Sequence, residues 1–213
     1  MARRTLAAVA AGMLAAAGLV VAGPASPAAA ATGFRVSGTR LLDARGNQFI
    51  MRGANHGHAW YTSQTQVWAD MKNSGANTIR VVLTGGRYGY SSAADVSAVI
   101  SRCKAVHMHG VYDTAQEVYT YIDSYVNAGL LLVVGEFGHW HSDGPVDEDA
   151  IVNHANYRGI GWLAWSWSGN GGGVEYLDMV YGFNVNNRSW WGDRIIWGTN
   201  GWKQTSRQAT VYN

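Results

Sequence analysis

Between Gly129 and Gly135 lie five consecutive apolar residues, Leu130-Leu131-Leu132-Val133-Val134, and Glu136-Phe137-Gly138 follow at once. Five residues bracketed by glycines are too few for a helix, so the run reads as a strand buried on both faces, as in a parallel sheet. In folds where strands and helices alternate, chemistry gathers just past the C-terminal strand ends, which is where Glu136 emerges. On this stretch alone, an ordinary loop glutamate is the better reading.

The rest of the chain keeps the same rhythm. Phe34 to Gln48 carries turn signals at Ser37-Gly38 and at Asp43-Ala44-Arg45-Gly46-Asn47, which predict a small hairpin. Phe49 to Gly53 reads as the first core strand, delivering Asn55, His56, His58 and Trp60 into a loop. Ser63-Gln64-Thr65-Gln66 has the form of a capping box for a helix carrying Val67 and Met71 and ended by Gly75. Thr78 to Leu83 is the second strand, and Arg80 interrupts its apolar run; a buried guanidinium needs a carboxylate or several acceptors.

Ser92 and Asp95 open a helix that puts Val96, Val99, Ile100 and Cys103 on one face. Lys104-Ala105 then runs straight into the strand-like Val106-His107-Met108-His109 with no turn residue between, whereas such joins usually take about 2–6 residues. Asp113 and Gln116 cap the next helix, with Val118, Tyr121, Ile122 and Tyr125 on its inner face, and the Glu136 strand follows. A helix from about Asp147 to Tyr157 leads to a strand from Gly161 to Trp167. The loop Gly169-Asn170-Gly171-Gly172-Gly173 lacks the Lys-Ser/Thr of a phosphate loop and reads as close backbone packing at a site mouth.

Five core strands are expected, near Ile50, Ile79, His107, Val133 and Leu163, joined as βα units in a parallel sheet. A closed eight-stranded barrel typically takes about 250 residues. A chain of 213 residues is therefore an open α/β sheet or a barrel with a piece missing.

Arg3-Arg4, the uncharged run from Leu6 to Ala22, and Pro24, Pro27 and Ala28 to Ala31 follow the three-part plan of a secretory signal, which places residues 1–31 in a leader and 32–213 in one domain. No acidic residue precedes Asp43, so loss of Arg3 and Arg4 reduces the 16 basic residues to 14, equal to the 14 acidic ones. That balance steers the chain to neither nucleic acid nor an anionic membrane. Cys103 is the one cysteine, so an internal disulfide is excluded. Ten Trp and eleven Tyr suit core packing, and also stacking on the apolar faces of sugar rings. His139-Trp140-His141 offers two histidines without a third ligand, a weak metal signal.

Three runs carry a specific resemblance: Asn55-His56-Gly57-His58-Ala59-Trp60-Tyr61, Gly135 to Gly144 (GEFGHWHSDG), and Trp165 to Met179 (WSWSGNGGGVEYLDM). Across Thr32 to Tyr212 the chain resembles secreted actinobacterial endo-β-1,4-mannanases of glycoside hydrolase family 5. The resemblance implies a (β/α)8 TIM-barrel fold, here with about five of eight βα units. It implies retaining hydrolysis of mannan, galactomannan or glucomannan without a cofactor or metal, in the extracellular space; a β-1,4-glucanase of the same family is the alternative enzyme.

By the same resemblance, Glu136 matches the nucleophile and Arg80 the second-strand arginine that hydrogen-bonds it. His107 matches the histidine of a His-x-Tyr motif, with His109 where the tyrosine belongs. Trp167 matches the tryptophan flooring the cleavage subsite, and His58 and Trp60 line the cleft. The family's acid/base glutamate sits in an Asn-Glu pair after the fourth strand, and this chain has no Asn-Glu; its glutamates are Glu117, Glu136, Glu148 and Glu175. The third to fifth βα units, with the cysteine expected to pair with Cys103, are skipped at the abrupt join after Lys104. A catalytically dead, polysaccharide-binding or partly folded remnant is the competing expectation.

Overall fold

A computed structural model describes residues 33–83, 85–86, 89–90, 104–108 and 112–210. The leader, the Ser92–Cys103 helix, Cys103 itself and His109 lie outside the described residues. The expected hairpin is present: β1 (Arg35–Ser37) and β2 (Arg40–Leu42) pair antiparallel through Gly38, whose φ of 56° favours glycine. Asp43 organises the following turn by accepting the amides of Arg45 and Asn47, and it also accepts the amide of Thr210.

The main sheet contains β3 (Arg52–His56), β4 (Thr78–Val81), β7 (Lys104–Met108), β8 (Leu132–Phe137) and β11 (Gly161–Ala164), all parallel. Two-residue pairs complete the strands: β5 (Gly85–Gly86) with β6 (Gly89–Tyr90), and β9 (Trp140–His141) with β10 (Gly144–Pro145). All five expected core strands are therefore present. The first begins three residues later than expected, because Phe49 still donates its amide to Leu41 of the hairpin. As a result Asn55 and His56 lie within β3 and not in a loop.

Strand order is β4-β3-β11-β8-β7. Following the chain, β7 to β8 to β11 steps steadily toward β3, the last strand pairs with the first, and β3 to β4 steps the same way again. A doubly wound sheet reverses direction at a switch point; this one does not. Among the described residues it is an arc of a barrel with β4 and β7 as its two edges.

Helices α1 (Val67–Ser74), α2 (Ala115–Asn127), α3 (Glu148–Arg158), α4 (Trp190–Ile196) and α5 (Trp202–Thr205) accompany the sheet. The capping box expected at 63–66 does not form: Gln66 donates to the Gln64 side chain, and α1 starts without a side-chain cap. On α2 the cap sits one residue later than expected, at Thr114, in a capping box with Glu117. Asp147 caps α3, and Gly159 closes it in a left-handed conformation.

The core holds Trp162, Trp167, Trp191 and Trp202, all at most 1% exposed, with Phe137 meeting Trp162 and Trp191 edge-on. At the N-terminal end of β3, buried Arg52 donates to the carbonyls of Met51 and Ile160, to Thr205 and to Asn156, over the face of Trp162. Burial pushes its pKa down to about 9.

Candidate active site

Glu136 is the fifth residue of β8, and a β-bulge aims it. Val106 lies opposite Val134, but His107 lies opposite Glu136, so Gly135 is one residue too many on β8. Bulges of this kind re-aim the side chain beside them. A glycine inside an apolar strand was the available sequence signal.

Arg80 projects from β4 and donates through Nη1 to Glu136 Oε2 at 2.8 Å, their side chains being 34% and 17% exposed. Arg80 is thus half-exposed, not fully buried, and has found the carboxylate its position in the strand demanded. Two strands, β3 and β11, stand between β4 and β8. Side chains that stand perpendicular to a flat sheet cannot meet across three spacings of about 4.8 Å each. The pair forms because the sheet curls and turns this face inward.

Buried Asn55, on β3, accepts a second bond from Arg80 Nη1 at 2.6 Å. Its amide donates to the carbonyl of Ala164 at 2.9 Å, with Gly135 and Leu163 carbonyls at 3.3 and 3.4 Å. Sequence reasoning assigned Asn55 no role.

The loop after β3 is tied to that after β4 by the amide of Ala59 donating to Val82. Here Trp60 is 54% exposed, and His58 is half-buried against Trp68. His56 is fully buried, and among the described residues neither of its ring nitrogens has a hydrogen-bond partner. Burial, and then the charge of His58, hold its pKa below the ordinary histidine value. The unfolded chain takes up a proton near pH 6.5 that the folded chain takes up only at lower pH. Stability is therefore full above that pH and declines as pH falls below it. Urea unfolding midpoints at pH 7.5 and 5.5 are expected to differ in that sense, with a smaller difference in His56→Phe; an equal difference in the variant would reject the assignment.

His107 has its backbone beside Glu136, and its side chain lies outside the described residues. Trp167 requires a correction, because it is fully buried against Trp202 and presents no face to a sugar. The resemblance put it at the cleavage subsite and the residue pattern extended its strand to Trp167, but β11 ends at Ala164. Beyond it, Ser166 and Trp167 exchange backbone bonds with Leu177, Met179 and Val180, and Trp167 also donates to Asn55 O. The half-buried tryptophan at the end of β11 is Trp165, with its indole donating to Asn170 and its carbonyl accepting from Trp191. In the glycine-rich loop, a Cβ on Gly169 would sit 2.5 Å from the Tyr61 ring, and Tyr61 donates to the Gly169 carbonyl. That glycine serves close packing, as expected.

The other glutamates have different surroundings. Glu117 accepts from Thr114, Glu148 is in the first turn of α3 with its pKa raised by burial, and Glu175 is exposed in a 3-10 turn. Asp113 leans on Glu117, and the shared proton raises its pKa. His139 bonds the Tyr176 carbonyl, and His141 bonds Asp143. Among the described residues, no group of three or more His, Cys, Asp or Glu could hold a metal.

A singly wound parallel sheet with a carboxylate gripped by a guanidinium near its C-terminal edge defines a barrel-type α/β enzyme. The profile of cellulase (glycosyl hydrolase family 5) matches residues 88–171. A mannan endo-1,4-beta-mannosidase of Streptomyces lividans is 35% identical over 301 positions, covering 86% of this chain and 79% of the relative. The chain belongs to glycosyl hydrolase family 5.

Among solved structures, the β-mannanase of Streptomyces thermolilacinus with mannohexaose superposes with a TM-score of 0.78 at 29% identity, covering 86% of this chain and 99% of that one. The β-mannanase of Thermomonospora fusca gives 0.77 at 31%, covering 86% and 100%. The 301 aligned positions outnumber the 213 residues here, so the S. lividans relative carries a long stretch without a counterpart. The sheet order leaves room for it between β4 and β7.

Proposed function

We propose that this chain is an exported glycosidase directed at β-1,4-mannans, in which Glu136 is the nucleophile and Arg80 its partner, and that it carries out the first half of a retaining reaction without a matched acid. One observation carries the reading: the 2.8 Å contact between Arg80 and Glu136 at the C-terminal end of the curled sheet. The relatives' mannohexaose and mannotriose complexes support the substrate class, galactomannan and glucomannan being its natural forms. The Ala-rich N-terminal run supports export. His58 and Trp60 border the cleft from the β3 loop, and the family resemblance carries His107 and His109 as further sugar-binding residues.

In a retaining site one carboxylate attacks the anomeric carbon while a second carboxyl, about 5–5.5 Å away, protonates the departing oxygen. General-acid help of that kind is worth ~10²–10⁴-fold. Donors whose leaving group departs without a proton bypass the need. Incubation with 2,4-dinitrophenyl β-mannobioside is expected to release dinitrophenolate and add one mannobiosyl group to the Glu136 peptide by mass spectrometry, while galactomannan hydrolysis stays negligible. Rapid reducing-end release from galactomannan would overturn the missing-acid half, and Asp113→Asn and Glu175→Gln would locate the acid. Absence of any covalent adduct would overturn the nucleophile half. It would leave a non-catalytic binding remnant, for which exposed Trp60 argues; retention on insoluble mannan, weakened by Trp60→Ala, is its test.

A further inference from the structure

We infer that Asn55 is the positioning residue of this site: it locks the Arg80 guanidinium and the bulged backbone at Gly135 to each other, so that the Glu136 carboxylate is held in one orientation. The inference deepens the reading of Glu136 as the reacting carboxylate, and its kinetic arm rests on that reading.

Asn55 is 0% exposed and stands on β3, midway between the strand that bears Arg80 and the strands β11 and β8. A side-chain amide has an acceptor on one side and two donors on the other. Here the donor side faces three backbone carbonyls, Ala164 at 2.9 Å, Gly135 at 3.3 Å and Leu163 at 3.4 Å. A flipped amide would set its oxygen against all three, so Oδ1 is left facing Arg80, from which it accepts at 2.6 Å.

Arg80 Nη1 carries two hydrogens, and its two acceptors are Asn55 Oδ1 and Glu136 Oε2. The guanidinium is planar, so fixing one of these hydrogens fixes the other, and the long side chain of Arg80 loses its freedom to swing away from Glu136. The same amide reaches the carbonyl of Gly135, the extra residue that sets the direction of Glu136. One buried side chain therefore sets both halves of the ion pair.

A purely structural asparagine would only satisfy buried carbonyls, and three substitutions separate the roles. Asn55→Asp keeps the acceptor toward Arg80 but turns its second oxygen to the three carbonyls, so it serves as the control only where its melting transition stays cooperative; Asn55→Leu keeps the volume and removes the acceptor, and Asn55→Ser serves in place of Leu if that variant does not fold. The first measurement is nitrogen-15 NMR of the Arg80 guanidinium. Restricted rotation of its Nη groups is expected in wild type and Asn55→Asp, and averaged rotation in Asn55→Leu or Asn55→Ser with the melting transition still cooperative. Restricted rotation persisting in the variants without the acceptor would overturn the proposal.

The second measurement is the rate at which 2-deoxy-2-fluoro-β-mannosyl fluoride labels Glu136. In Asn55→Leu or Asn55→Ser the limiting rate is expected to fall roughly 10- to 100-fold, the worth of a hydrogen bond to a charged group, while the reagent's binding constant stays within about 2-fold. An unchanged limiting rate would overturn the role as well. A wild-type protein that takes no label contradicts the nucleophile assignment alone, since the NMR result still decides what Asn55 does.

Discussion

Replacement of Glu136 with Gln is expected to abolish adduct formation from dinitrophenyl mannosides, lowering the rate ~10⁴-fold or more, as removal of a reacting group does in other covalent enzymes. Gln keeps the shape and an acceptor for Arg80, so the fold and the strand β8 register should persist, and only the nucleophilic oxygen is lost. The decisive comparison is mass spectrometry of the Glu136 peptide with circular dichroism of the same samples. An adduct on the variant at the wild-type rate would move the chemistry to another residue and end the reading built on the Arg80 pair. Formate or azide supplied to Glu136→Ala gives a complementary readout, because that truncation leaves room for a small external anion where the carboxylate stood.

The second large effect falls on the fold. Gly53→Ala places a Cβ 1.7 Å from the carbonyl oxygen and 2.9 Å from the carbonyl carbon of Thr78. Those atoms belong to the backbone of β4, directly opposite Gly53 in the parallel register, and neither can step aside without breaking the pairing that also aligns Asn55 with Arg80. A loss above about 4 kcal/mol is expected, an exceptional value for one methyl group, and against the 5–15 kcal/mol typical of a domain it leaves little folded protein. Urea titration followed by circular dichroism measures it. A variant within 1 kcal/mol of wild type would show that β3 and β4 do not pair in this register.

Residue pattern alone reached the five strands, the parallel sheet and Glu136 at a strand's C-terminal end, although it set Glu136 just past that end and the strand runs on to Phe137. The signals were apolar runs too short for helices and an arginine that interrupted one of them. It failed where the outcome depended on a competitor. The first strand slid to Arg52–His56 because the hairpin claimed Phe49. Arg52 attracted no notice although it is the more deeply buried arginine, since its partners are carbonyls and amides scattered from Met51 to Thr205. Trp167 was placed in the cleft by the family resemblance, on a segment read as strand to Trp167, whereas β11 ends at Ala164.

What the amino-acid order settled by itself was local: which segments extend, which coil, and that a carboxylate and a guanidinium stand near the C-terminal ends of separate strands. Which strands lie side by side was a matter of three-dimensional closure, because pairing of the last strand with the first links residues more than a hundred positions apart. Only that closure curls the sheet until Arg80 reaches Glu136 across two intervening strands, turns Trp167 into the core, and puts the amide of Asn55 between Arg80 and the Gly135 carbonyl. The physical reason is that a side chain's range is a few ångströms, so contacts of this kind are set by curvature and register, and neither is written in any single stretch of sequence.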